Sequence, residues 1–255
     1  MSKIKFLSLV VPTFRQEKTI LSDLRNLQSV LATLPFSHEI IVVVDGVLDK
    51  TYSKIRRLRS KNIRIYKYGE NQGKGFAIRY GMLKARGDII GFIDAGMDID
   101  PNGISMLLSH MIWYNADIIV GSKLHPVSQV YYPLWRKILS RGYRILTHVM
   151  FGFTVKDTQV GIKLFKSIVL KDILPRLIVK KYAFDIEILA VAHYRGFKRI
   201  YEAPVKIDFK DSMSISPRNL WKIVFNMMWD TCAVFYRLRI LRYYDKELSI
   251  NRQKK

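Results

Sequence analysis

The sequence predicts an α/β fold, a mostly parallel sheet flanked by helices, on three observations. Short apolar, β-branched runs alternate with helix-length stretches of 3.6-residue periodicity from residue 7 to residue 120. The runs are apolar throughout, as in strands buried on both faces of a parallel sheet. Turn and carboxylate signals, Pro12, Asp45-Gly46 and Asp94, stand where the runs end, and in open α/β sheets that edge binds ligands.

Residues 7–11 read as a first strand ending at Pro12, and residues 17–34 carry Ile20, Leu21, Leu24, Leu27, Val30, Leu31 and Leu34 at helical spacing. A second strand spans residues 39–44, a basic helix 49–58, and a third strand 63–66. The helix expected at 73–85 is approached through Asn71-Gln72-Gly73-Lys74-Gly75, where glycines let backbone N–H groups near a phosphate and Lys74 adds charge. A plain loop-to-helix turn fits that stretch equally. Next comes the apolar run 89–93, and Asp94, Asp98 and Asp100 follow within seven residues. Closely spaced carboxylates repel unless a cation or hydrogen-bond donors hold them together, so the stretch reads as a divalent-metal site. A solvated acidic loop closed by Pro101 is the alternative.

Beyond Gly121 the composition changes. Residues 133–151 place Trp135, Ile138, Leu139, Gly142, Ile145, Leu146 and Val149 on one helical stripe, with Arg136, Ser140 and Arg144 on another face. Such a helix either packs on the core or lies in a membrane interface. Residues 157–165 read as a loop turning into a strand, 182–192 as a helix carrying Asp185 and Glu187, and 199–209 as a strand. Residues 219–244 carry too many apolar faces for a surface helix, with Lys222, Asp230, Arg237, Arg239 and Arg242 interspersed. That pattern predicts a helix lying along a bilayer.

At 255 residues the chain suits one large domain, or a domain (1–215) with a helical appendage (216–255). Its 43 Lys and Arg against 21 Asp and Glu give +22, unevenly spread: residues 1–120 hold 17 basic and 11 acidic side chains, residues 121–255 hold 26 and 10. The second half therefore faces something anionic, a membrane surface or nucleic acid. Cys232, the single cysteine, excludes internal disulfides and fits a reducing compartment. The apolar run 6–11 is too short for a signal peptide, and no segment reaches the roughly 18 uninterrupted apolar residues of a spanning helix, so the expected attachment is peripheral.

Nine stretches, in family order, resemble the family-2 glycosyltransferases of the GT-A (Rossmann-like) fold, and among them the dolichyl-phosphate (polyprenyl-phosphate) glucosyl- and mannosyltransferases. They are residues 11–14, 39–46, 71–81, 92–101, 121–123, 136–141, 157–165, 182–189 and 202–205. Asp-Thr-Gln-Val-Gly-Ile-Lys-Leu-Phe from Asp157 and Tyr-Ala-Phe-Asp-Ile-Glu from Tyr182 are most similar to the glucosyltransferase branch. The resemblance implies a nucleotide-sugar donor at Pro12, Phe14, Glu17, Asp45, Lys74 and Asp94. It implies Mg²⁺ or Mn²⁺ at Asp94, catalytic roles for Asp94 and Asp157, and an acceptor phosphate at Lys123, Arg136 and Ser140. The family's Asp-x-Asp appears here as Asp94-Ala95-Gly96, and Asp98 is the expected replacement ligand. Arg15-Gln16 and Val44-Asp45 depart from the family's Asn-Glu and Asp-Asp.

The expectation is an inverting enzyme that moves a hexose from UDP-glucose or GDP-mannose to a polyprenyl or dolichyl phosphate, peripheral on the cytoplasmic face of a membrane. One alternative keeps the fold and sends the sugar to a soluble glycan or protein. Another is a basic nucleic-acid-binding protein, against which stand the continuous apolar stripes between the basic residues.

Overall fold

The computed structural model describes residues 4–58, 60–96, 98–130, 134–152, 155–181, 183–207 and 217–245, with backbone alone at 129–130, 134–140 and 217–223. Among the described residues the strands are β1 (Phe6–Thr13), β2 (Ser37–Asp45), β3 (Ile63–Tyr68), β4 (Ile89–Ile93), β5 (Ile118–Ser122), β6 (Gln129–Val130), β7 (Ile162–Lys166), β8 (Ile200–Pro204) and β9 (Lys206–Ile207). The helices are α1 (Ile20–Ala32), α2 (Thr51–Arg56), α3 (Lys74–Met82), α4 (Gly103–Trp113), α5 (Leu134–Phe151), α6 (Ser167–Ile173), α7 (Phe184–Tyr194) and α8 (Pro217–Phe235).

Seven strands form one sheet in the order β3-β2-β1-β4-β7-β5-β8. Among them β7 alone runs against its neighbours, pairing antiparallel with β4 and β5; the other pairings are parallel. The mostly parallel α/β sheet expected from the sequence is present. Alternate residues of β1 feed two cores, as strand pleating dictates. Leu7, Leu9 and Val11 pack with α1, α2 and α4 residues such as Leu24, Ile55 and Leu107. Val10 packs on the other face with Ile78 of α3, Val169 of α6 and Ile186 of α7.

Boundaries differ from expectation for local reasons. α1 begins at Ile20 instead of residue 17, because the Glu17 carboxylate accepts from the Lys50 amide (3.0 Å) and its carbonyl from the Lys54 ammonium (2.6 Å). Residues 199–209 divide at Val205: β8 joins the main sheet, while β9 pairs with β6, and Phe209 lies outside the described residues. The expected single element over 219–244 is α8, a π-type turn (Tyr236–Ile240) and a 3-10 turn (Tyr243–Asp245). Val234, Leu238 and Tyr244 from it are buried in the core, so this segment is packed on the sheet domain.

Register fixes where chemistry can occur. Ile93 opposes Ile162, so the chain entering antiparallel β7 arrives beside the carboxyl end of β4. The loop after β4 is held down by Ile99, which bridges to Ile207, and by the Asp100 amide, which donates to the Lys206 carbonyl (2.9 Å).

Candidate active site

A cleft of about 500 Å³ opens at the carboxyl ends of β1, β2 and β4, lined by Pro12, Thr13, Phe14, Gln16, Asp45, Asn71, Gly73, Lys74, Asp94, Ala95 and Lys181. Of the expected donor residues, Pro12, Phe14, Asp45, Lys74 and Asp94 line it. Glu17 does not; its carboxylate braces the turn before α2. Asp45 is buried and accepts from the Gln72 (2.7 Å) and Gly73 (3.0 Å) amides, which fixes the glycine-rich approach to α3.

At the floor of the cleft Lys74 donates to Asp94 Oδ2 (2.7 Å) and lies 4.0 Å from Asp185 Oδ2. Asp185, from α7, is paired in turn with Lys163 of β7, a fully buried lysine that also donates to the Val160 carbonyl (2.7 Å). Two carboxylates and two ammoniums thus alternate in a chain, the arrangement that makes buried charge tolerable. Burial pushes the Lys163 ammonium down, opposed by Asp185. The Asp94 carboxyl is pushed up by desolvation, opposed by Lys74 and reinforced by Asp185. Nothing in the sequence alone assigns Lys163 or Asp185 a role. The available signal was a lysine inside the apolar strand Ile-Lys-Leu-Phe.

The backbone around Asp94 is equally constrained. Its amide donates to the Gly161 carbonyl (2.8 Å), and a Cβ on Gly161 would stand 1.9 Å from Asp94 Oδ2. Only glycine fits there. Asp94 Oδ1 is shielded from solvent and has no hydrogen-bond partner. A buried carboxylate oxygen left unmatched beside a cleft is costly unless a ligand completes it. One such oxygen, with phosphate oxygens and water, is a donor set that Mg²⁺ or Mn²⁺ accepts. The residues therefore fit a divalent ion, although among the described residues no group of three His, Cys, Asp or Glu is gathered. Asp98 is exposed on the loop that follows. Gly96 sits at φ 96°, a backbone region that an L residue occupies only under strain, so a carboxylate side chain could stand there only if the backbone changed.

Asp157 is buried away from the cleft lining. It accepts from the Lys123 amide (2.9 Å), and the Lys123 ammonium lies 3.9 Å away. Glu202 anchors the same loop by accepting from the Lys156 and Asp157 amides (2.9 Å each). The side chains of Arg136 and Ser140, the other two expected acceptor residues, lie outside the described residues.

α5 and α8 form an adjoining pair, tied by a Tyr143–Thr231 hydroxyl contact (2.8 Å). Ile145 and Val149 of α5 and Phe225, Met228 and Trp229 of α8 are exposed. Among the described residues no helix is long and apolar enough to cross a membrane.

Residues 8–174 match the family model described as glycosyl transferase family 2. A Drosophila melanogaster dolichyl-phosphate beta-glucosyltransferase is 31% identical over 202 residues, 73% of this chain; the chain spans 62% of that relative's length. A Trichomonas vaginalis dolichyl-phosphate beta-glucosyltransferase is 30% identical over 252 residues, 94% of this chain and 77% of the relative. Among solved structures, a Mycobacterium tuberculosis glucosyl-3-phosphoglycerate synthase in complex with Mn²⁺, UDP-glucose and phosphoglyceric acid has a TM-score of 0.69 at 16% identity. It covers 91% of this chain and 80% of that one, and the likeness is one of fold.

Proposed function

The chain belongs to glycosyl transferase family 2, and from that premise we propose that it transfers a hexose from a nucleotide sugar to a polyprenyl phosphate of the dolichyl type, at the cytoplasmic face of a membrane. UDP-glucose is the first candidate donor, favoured by the glucosyltransferase relatives, and GDP-mannose the second. The observation that carries this reading is the Asp94–Lys74 pair at the floor of a cleft on the carboxyl edge of the sheet, with Asp94 Oδ1 unmatched.

In the proposed reaction an oxygen of the lipid phosphate attacks the sugar's anomeric carbon from the face opposite the nucleotide. The bond from that carbon to the nucleoside diphosphate breaks with its electron pair, inverting the centre. A phosphate monoester is already anionic near neutral pH, so the protein's task is positioning, with no general base required. Asp94 would hold a divalent ion, which would supply charge stabilisation to the departing diphosphate. Lys74, 2.7 Å from Asp94 Oδ2, would bring a positive charge to the same end of the donor. Asp157 contributes by fixing Lys123, whose ammonium, with Arg136 and Ser140, is assigned to the acceptor phosphate. The exposed apolar faces of α5 and α8, in the strongly basic half of the chain, support seating on an anionic bilayer.

The test is transfer by purified protein from labelled UDP-glucose and GDP-mannose to a short polyprenyl phosphate in detergent. Divalent-dependent product is expected with one donor, falling at least a hundredfold in Asp94→Ala. Absence of lipid product with both donors, alongside transfer to a soluble glycan, overturns the acceptor assignment.

A further inference from the structure

Residues 178–181, between the 3-10 turn Leu174–Arg176 and α7, form a strap tied at both ends, and Lys181 at its end lines the cleft. At one end the Ile178 and Val179 amides donate to the Glu187 carboxylate (3.1 and 2.9 Å), which is itself fully buried on α7. The Tyr244 hydroxyl donates to Glu187 Oε1 (2.7 Å), and Arg176 donates to the Tyr244 carbonyl (3.2 Å). Tyr244 is a wholly buried residue of the C-terminal segment, so the segment after α8 reaches through α7 to the strap. At the other end the Lys180 carbonyl accepts from the Phe76 amide (3.0 Å), and the Lys180 ammonium donates to Gln72 (3.2 Å). The strap therefore lies directly on the glycine-rich approach to α3. A Cβ on Gly73 would meet the Lys180 carbonyl at 2.6 Å and the Lys181 side chain at 3.2 Å.

The charge balance of the cleft singles out Lys181. Lys74 is neutralised by Asp94 and Asp185, and Lys163 by Asp185. The Asp45 carboxylate is taken up by two amides. Lys181 lines the cleft, is exposed, and pairs with no described carboxylate. A cation at the cleft lining, on a stretch of backbone tied by the Val179–Glu187 and Phe76–Lys180 hydrogen bonds, has lost part of the freedom that usually weakens lysine contacts.

We propose that the strap is a second phosphate-binding wall of the cleft, with Lys181 as the cation that meets the donor's diphosphate and Tyr244 as the positioning residue that holds the strap through Glu187. This rests on the nucleotide-sugar reading above. It adds that the C-terminal segment is coupled to donor binding by a continuous chain of hydrogen bonds.

The experiment is calorimetric binding of UDP and UMP, with GDP and GMP in parallel, to the full chain in detergent at fixed Mn²⁺. Lys181→Ala is expected to weaken the preferred diphosphate about tenfold or more and to compress its advantage over the monophosphate, while Lys181→Arg retains most of both. Tyr244→Phe is expected to weaken the diphosphate several-fold, and the double variant to lose little beyond Lys181→Ala, since both act on one contact. Unchanged diphosphate affinity in Lys181→Ala overturns the proposed wall, a result secure from folding defects because Lys181 is exposed. Additive losses in the double variant overturn the role of Tyr244. Failure of the wild-type chain to bind either nucleoside diphosphate removes the nucleotide-sugar reading along with the wall.

Discussion

The environment of Gly161 shows how narrowly the floor of the cleft is specified at the scale of single residues. Its missing side chain is where the Asp94 carboxylate sits, and its carbonyl holds the Asp94 amide. Gly161→Ala is expected to evict that carboxylate, lower stability by about 1–3 kcal/mol through overpacking, and reduce transfer at least a hundredfold. Urea unfolding beside the transfer assay checks this; wild-type activity would mean that Asp94 can work from another position. Residue type made part of this floor readable in advance. Asp45, Lys74 and Asp94 announce themselves by standing at strand ends or in a glycine-rich turn. Lys181 does not, because Lys180-Lys181 reads like any solvated basic pair until the strap is seen lying on Gly73. Glu17 is hard to read for a related reason: a carboxylate near a strand end serves a ligand or a turn, and here its carboxylate accepts from the Lys50 amide.

Among elements, the strands that build the cleft were the most legible, since β1, β2 and β4 are uninterrupted apolar runs that a buried parallel sheet requires. α4 and α6 carried no expectation. Met106, Ile112 and Trp113 of α4 and Ile168 of α6 are exposed, so their apolar residues surround the helix and blur the one-sided period on which a sequence reading depends. The reversed direction of β7 was equally hidden, because Ile-Lys-Leu-Phe-Lys reads alike from both ends and direction is set by the connections. The exposed faces of α5 and α8 are the features with the clearest consequence at this scale. Phe225 and Trp229 are 67% and 69% exposed and one helical turn apart. Replacing both with glutamate is expected to weaken sedimentation with anionic vesicles by roughly several hundredfold, from about 2 kcal/mol of apolar burial for each side chain. The melting temperature should hardly move, since neither residue supports the core. Vesicle binding equal to wild type would assign attachment to the basic charge alone.

Taken whole, the molecule is a domain whose two halves depend on each other, and the position of β7 is the reason. β5 finds its hydrogen-bonding neighbours only in β7 and β8, both of which come later in the chain. As the polypeptide emerges during synthesis, β1 to β4 can already pair with one another, while β5 waits, apolar and with both edges open, until some forty further residues have appeared. The Asp94 amide waits with it, because its acceptor is the Gly161 carbonyl. Cutting the chain at the exposed Val127 should therefore yield an N-terminal fragment that aggregates when produced alone and becomes soluble when residues 128–255 are produced beside it, as the soluble fraction on sedimentation would report. A fragment that stays soluble and monomeric by itself would show that β5 can be sheltered without its later partners. β7, which brings Lys163 beneath the cleft, also joins β5 to the rest of the sheet, so the floor of the site and the shelter of that inner edge are laid down in one step of synthesis, while Lys181 and the outer edge of β5 wait for the residues that follow.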